Sequence, residues 1–122
     1  MKSVYFLSTC STCQRILKQL NLPSDIALID IKQTNIDGEA LDKIAGMAGS
    51  YEQLFSKKAM KYKALGYDKL SLSERKYRNI ILEEYTFLRR PVIAYDDFFS
   101  IGNSKEEVNK AIAFFENLSP TK

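Results

Sequence analysis

Two cysteines, Cys10 and Cys13, are the only thiols of the chain, and they stand together in Ser8-Thr9-Cys10-Ser11-Thr12-Cys13. The Cys-x-x-Cys spacing puts the second sulfur about one helical turn from the first, close enough to resolve a mixed disulfide formed on it. The chemistry this suggests is thiol–disulfide exchange. A short apolar run, Val4-Tyr5-Phe6-Leu7, precedes the pair, and Ile16, Leu17 and Leu20 follow at spacings of three and four, the mark of one helix face. The cysteines therefore sit where a strand becomes a helix. A helix start leaves backbone N–H groups unpaired and carries a positive partial charge, which favours thiolate, the form that attacks. Cys10, nearer the exposed loop, is the expected nucleophile and Cys13 the resolver. Ser11 and Gln14 match a capping box, placing the helix start within the motif. Two other readings compete. A pair of cysteines can be half of a zinc site, but a closed site needs four ligands and the chain has no histidine and no third cysteine. Free cysteines can also be inert core residues.

With 122 residues the chain is long enough for one domain, 1–122, with its own core. Composition is that of an ordinary globular protein and predicts no disorder. No apolar run has the length of a membrane span, and Met1-Lys2-Ser3 leads straight into a strand without a signal-peptide pattern. With only two, closely spaced cysteines, this points to the reducing cytoplasm and a working dithiol, and away from membranes. The net charge of +3 is too small to argue for direct nucleic-acid binding.

Further along, Asn21-Leu22-Pro23-Ser24 breaks the first helix, and Ile26–Ile31 reads as a second, largely buried strand. Strand, helix, strand makes a βαβ unit, so these two strands should be parallel. Asp37-Gly38 opens a helix carrying Leu41, Ile44, Ala45 and Met47, ended by Gly46 or Gly49. From Tyr51 to Phe87 apolar residues including Leu54, Phe55, Tyr62, Leu65, Tyr77, Ile80 and Ile81 recur at helical spacings, which predicts a helical insertion. Ser71 and Glu74 form a second capping-box match. The cluster Lys57, Lys58, Lys61 and Lys63 is either a solvated face or an attractor of anions near the thiol. Phe87–Tyr95 then reads as a strand entered through Arg90-Pro91, Asp96-Asp97 as a turn, and Phe98–Gly102 as the returning strand of a hairpin. A third capping-box match, Ser104 with Glu107, opens a last helix that should bury Val108, Ile112 and Phe115, with Ala111 and Phe114 alongside.

The Cys-x-x-Cys after the first strand, this order of elements and the Arg-Pro before the third strand together resemble the ArsC family. It comprises thioredoxin-fold proteins that include glutaredoxin-linked arsenate reductases and the Spx regulators. The most specific pieces are Cys10-Ser11-Thr12-Cys13, Leu54-Phe55-Ser56-Lys57-Lys58 with Tyr62-Lys63-Ala64-Leu65-Gly66, Leu88-Arg89-Arg90-Pro91-Val92-Ile93, and Ile101-Gly102-Asn103. The resemblance implies an α/β fold of thioredoxin-like, glutaredoxin type: a four-stranded mixed sheet with a helical insertion, about 51–87, between strands 2 and 3. It carries the family's nucleophile onto Cys10, its oxyanion-binding arginine onto Arg90 and its cis-proline onto Pro91. Physical chemistry suits these roles, since a guanidinium offers a planar fork to an oxyanion and a fixed charge beside a thiol. Arg89 fits a salt-bridged surface arginine better. Thr9, Ser11, Thr12, Lys58 and Pro91 are the expected substrate-binding residues.

The departures are informative. The arsenate reductases of the family hold arsenate with three arginines and use one active-site cysteine. Here Arg90 alone matches, with Ser56 or Lys58 at the insertion position and Gly102-Asn103 before the last helix. Lysine supplies charge but no bidentate fork. Cys13 adds an internal resolving thiol, as in the two-cysteine branch of the family. Two functions follow. One is an arsenate reductase-like thiol oxidoreductase acting on a small oxidised, disulfide or oxyanion substrate, with no bound cofactor or metal and with glutathione, thioredoxin or glutaredoxin as reductant. The other is an Spx-like regulator whose disulfide alters a contact with the C-terminal domain of the RNA polymerase α-subunit. Spx-like proteins carry a charged tail beyond the last helix, whereas this sequence stops at Asn117–Lys122, so the expectation leans to the reductase.

Overall fold

The computed structural model describes residues 1–118, and Ser119–Lys122, the end of that short tail, lie outside the described residues. The chain divides into two compact units, residues 1–34 with 90–122, and residues 35–89. The second unit thus opens at Asn35, ahead of the insertion expected from about 51.

The first unit is built on a four-stranded sheet: β1 (Lys2–Phe6), β2 (Ala27–Asp30), β3 (Val92–Tyr95) and β4 (Phe98–Ile101), in the order β2-β1-β3-β4. β1 and β2 are parallel, while β1 with β3 and β3 with β4 are antiparallel. This is the four-stranded mixed sheet the family resemblance implied. The helix α1 (Ser11–Gln19) makes the crossover between β1 and β2, and α5 (Lys105–Leu118) follows the hairpin. One core joins them: Val4 and Ile93 from the central strands, Ile16 and Leu20 from the first crossover, and Tyr95, Ala111 and Phe115. Phe115 has no exposed surface, and its ring stands edge-on to Tyr95, Phe98 and Phe114. Val108 and Ile112 are partly buried against the same cluster.

Three local expectations are corrected. β2 is not largely buried: Ala27 and Leu28 are exposed, the leucine by 57%. A continuous apolar run reads the same whether or not both faces are covered, and this strand lies at the sheet edge. The third strand starts at Val92, because Pro91 has no N–H to give to the ladder; Tyr85–Phe87 is a 3-10 turn, and Leu88 pairs only in an isolated bridge with Phe55. Before α5, Ser104 Oγ accepts from the Glu107 N–H (3.2 Å), but the Glu107 carboxylate accepts from Ile101 N–H (2.9 Å) rather than closing the box on Ser104. That contact ties the helix start to the end of β4.

The second unit is helical. α2 (Gly38–Ala48) is capped by Asp37, which accepts from Ala40 N–H at 2.8 Å, and ends at Gly49, whose φ of 104° an L side chain rarely adopts. The short α3 (Met60–Ala64) and α4 (Glu74–Glu83) follow. Ser73, not Ser71, caps α4 by accepting from Lys76 N–H, and Glu74 instead accepts from the backbone of Tyr51 and Glu52. Phe55 stacks on Phe87 and meets Tyr62 and Tyr77 edge-on. Leu65 is exposed, and so not the core residue its spacing suggested. Arg78 of α4 grips Asp42 of α2 with two hydrogen bonds, 2.7 and 3.2 Å.

Candidate functional site

β1 ends at Phe6, and the chain turns at once: Cys10 N–H donates to Leu7 C=O at 3.0 Å. Cys10 is then the N-cap of α1, with extended backbone (φ −96°, ψ 109°), and Gln14 N–H closes the first helical bond on its carbonyl at 3.2 Å. The helix therefore starts one residue before the capping box would have it. Ser11 is the first helical residue and exposed, and the Gln14 side-chain amide donates to Ser8 C=O instead. Cysteine at the N-cap puts sulfur where Ser or Asp would put a capping oxygen.

No formed side-chain cap hydrogen bond reaches the Cys10 sulfur, but the first turn of the helix still acts on it electrostatically. Partial burial opposes its ionisation. The backbone N–H and thiol of Cys13, the N–H of Thr12 and the Arg90 guanidinium outweigh that, holding the Cys10 thiol below its ordinary value. Cys13 is fully buried, and burial, only partly offset by a hydrogen bond from the Leu7 backbone, pushes its thiol up to about 11; the neighbouring Cys10 charge raises it further. Two neighbouring thiols are thus driven apart in acidity, the outer towards thiolate and the inner towards thiol.

The other expected site residues divide. Arg90 and Pro91 belong to the same unit as the cysteines, and Arg90 lies near enough for its charge to favour both thiolates. The Arg90–Pro91 peptide is cis, Pro91 is buried, and its carbonyl accepts from Gly102 N–H at 2.9 Å. Gly102 has a φ of 88°, which suits glycine at the step before α5. Thr12 is half-buried with its N–H towards Cys10, while Thr9 is exposed in the turn. Lys58 is exposed and belongs to the unit formed by residues 35–89. In that unit Arg89 bonds Gln53 C=O (3.1 Å) and Lys57 and Lys61 pair with Glu52 and Glu84, so much of the basic cluster serves local ion pairs. Among the described residues no three His, Cys, Asp or Glu side chains gather to hold a metal ion, and no helix is long and apolar enough to cross a membrane.

A model of the ArsC family matches residues 5–111, a span that takes in both cysteines and the cis-proline. The chain belongs to the ArsC family. Solved structures of the same fold include a Bacteroides fragilis protein assigned provisionally to the ArsC family (TM-score 0.76, 24% identity, 91% of this chain and 99% of that one). A possible arsenate reductase of Streptococcus mutans gives 0.68 and 26% over 88% and 96% of the two chains. An arsenate reductase of Vibrio cholerae gives 0.72 and 21% over 90% and 98%. No curated protein matches the chain significantly.

One residue beside the cysteines, Asp30, carried no sequence signal, and the role of another, Gln14, was misread. Ser8 N–H donates to Asp30 Oδ1 at 3.2 Å, and Ser8 helps to hold the Asp30 carboxyl below its ordinary value. Asp30 is 22 residues away and comes alongside only because β1 and β2 pair in parallel, with Phe6 opposite Asp30. Gln14 was legible only as a capping partner, and its actual contact to Ser8 C=O depends on the shape of the turn.

Proposed function

We propose that this ArsC-family protein is an arsenate reductase-like thiol oxidoreductase that reduces a small disulfide or similarly oxidised substrate. What supports the reading most is the opposite displacement of two neighbouring thiols, Cys10 towards thiolate and Cys13 towards thiol. The Cys10 thiolate attacks one sulfur of the substrate disulfide; a new S–S bond forms on Cys10, the substrate bond breaks, and the released half leaves as thiolate to be protonated. Once Cys10 is in a mixed disulfide its negative charge is gone, which removes part of what keeps Cys13 protonated. Cys13 then gives its proton to solvent or the leaving sulfur, attacks Cys10 Sγ and expels the second half. The substrate has gained two electrons and the protein holds a Cys10–Cys13 disulfide, which glutathione, thioredoxin or glutaredoxin reduces. Arg90 steadies thiolate and any oxyanion, and the backbone beside Pro91, with Thr9, Ser11 and Thr12, receives the substrate.

The test is turnover of glutathione disulfide or cystine, coupled to glutathione or thioredoxin as reductant. Wild type should turn over, Cys10→Ser should not, and Cys13→Ser should stop as a mixed disulfide visible by mass spectrometry. An inert wild type that instead binds the C-terminal domain of the RNA polymerase α-subunit only when oxidised would replace this reading with the Spx-like regulator.

A further inference from the structure

We infer that Asp30 is a positioning residue for the nucleophile: from the end of β2 it holds Ser8, and through Ser8 it sets the turn that presents the Cys10 sulfur to the start of α1. The inference rests on the reading of Cys10 as nucleophile and adds a residue to that site. The path from β1 to the thiol is only Leu7, Ser8 and Thr9, so whatever fixes Ser8 fixes where the sulfur points. Both backbone polar groups of Ser8 are engaged: its N–H goes to the Asp30 carboxylate at 3.2 Å and its C=O accepts from the Gln14 amide. Asp30 Oδ1 also accepts from Lys32 N–H (3.2 Å), and Asp30 C=O accepts from Gln33 and Thr34 N–H (both 3.0 Å), so the carboxylate is anchored in its own turn. The thiol loop is thereby fastened on one side to the neighbouring strand and on the other to the helix it precedes.

The sign of the effect separates positioning from bare charge. The groups acting on these positions are Lys32 at Asp30, and Arg90 and Cys13 at Cys10. An anion near a thiol disfavours thiolate, so if Asp30 acted only through its charge, removing it would make Cys10 more acidic. If it acts by holding the turn, removing it makes Cys10 less acidic, because the sulfur drifts from the Thr12 and Cys13 N–H groups. Asparagine keeps an oxygen for the Ser8 N–H while losing the charge.

The experiment is a pH titration of Cys10 alkylation by iodoacetamide in the full reduced chain, read by peptide mass spectrometry with Cys13 followed alongside, for wild type, Asp30→Ala and Asp30→Asn, plus a melting curve for each. Asp30→Ala should raise the Cys10 pKa and slow its alkylation near pH 6 by about tenfold for every tenfold loss of acidity, with Asp30→Asn recovering most of the lost rate. Gln14→Ala, at an exposed helix position, cuts the other fastening and should slow Cys10 in the same direction, so the inference is testable even if Asp30→Ala does not fold. A Cys10 titration unchanged in Asp30→Ala, or in Gln14→Ala should the first not fold, would overturn it, as would a Cys10 made more acidic. Failure of the underlying reading looks different: wild-type Cys10 would then alkylate no faster than Cys13, whatever the variants do.

Discussion

Selective alkylation of the reduced protein is the sharpest check on the dithiol. Cys13 is pushed up to about 11, while Cys10 lies below the ordinary thiol value of 9.0. Near pH 7, then, about one Cys13 in ten thousand is thiolate, against at least about one Cys10 in a hundred, a ratio of about a hundredfold or more. Intrinsic nucleophilicity falls with acidity, and a Brønsted slope of about 0.4–0.5 over two pH units returns close to tenfold to Cys13. Acidity alone therefore leaves Cys10 about tenfold faster, and the complete burial of Cys13 adds to that margin. The assay is a short iodoacetamide pulse at a series of pH values from about 6 to 9, quenched and read peptide by peptide. The Cys10 rate should climb and level off at its own pKa, below 9.0. The Cys13 rate should still be climbing at the top of the range. In Cys10→Ser, Cys13 should keep most of its elevation, since burial is the largest cause and the neighbour's charge a smaller one. Rates within about threefold of each other near pH 7, or Cys13 levelling first, would refute the assignment of roles.

The remaining predictions concern Arg90 and the core. Arg90→Ala should raise the Cys10 pKa and weaken sulfate or arsenate binding, whereas Arg90→Lys should keep much of the effect on the thiol yet lose anion affinity, because lysine cannot make the paired hydrogen bonds of a guanidinium; alkylation titrations and calorimetry read the two separately. Phe115→Ala should cost about 3–5 kcal/mol, the range for truncating a fully buried aromatic, measured as a shift of the urea midpoint, and a loss under about 1 kcal/mol would contradict the packing of α5 on the sheet.

Much of the fold was legible because it rests on neighbours in sequence. The apolar run before Cys10 and the three-four spacing of Ile16, Leu17 and Leu20 are enough for a strand feeding a helix. Asp96-Asp97 between two apolar runs is enough for the hairpin, and Asp37 and Ser104 cap where their types suggest. Where caps were misplaced, at Ser11 and Ser71, the pattern offered a serine with an acceptor or carboxylate three residues on, and the backbone started its helix at a different residue. Short range alone does not distinguish these choices, since each potential cap competes with tertiary partners such as Ser8 for Gln14 and the Tyr51–Glu52 backbone for Glu74.

At the candidate site the division follows range. The sequence alone was sufficient for the identity of the two thiols, their place at a helix start and the family to which the chain belongs, because a four-residue motif and the order of elements are local or cumulative properties. Tertiary structure decided the rest. Which strand lies at the edge, and so exposes Leu28, depends on the order β2-β1-β3-β4, which no single segment encodes. The splitting of the two thiols depends on the burial of Cys13 and on the backbone N–H groups of Thr12 and Cys13 beside Cys10, while Arg90, arriving from a distant part of the chain, favours both thiolates; burial and proximity exist only once the chain is packed. Asp30 reaches Ser8 for the same reason: parallel pairing of β1 and β2 brings the ends of two strands side by side, and a carboxylate that looks like an ordinary polar end to a strand becomes the anchor of the thiol loop.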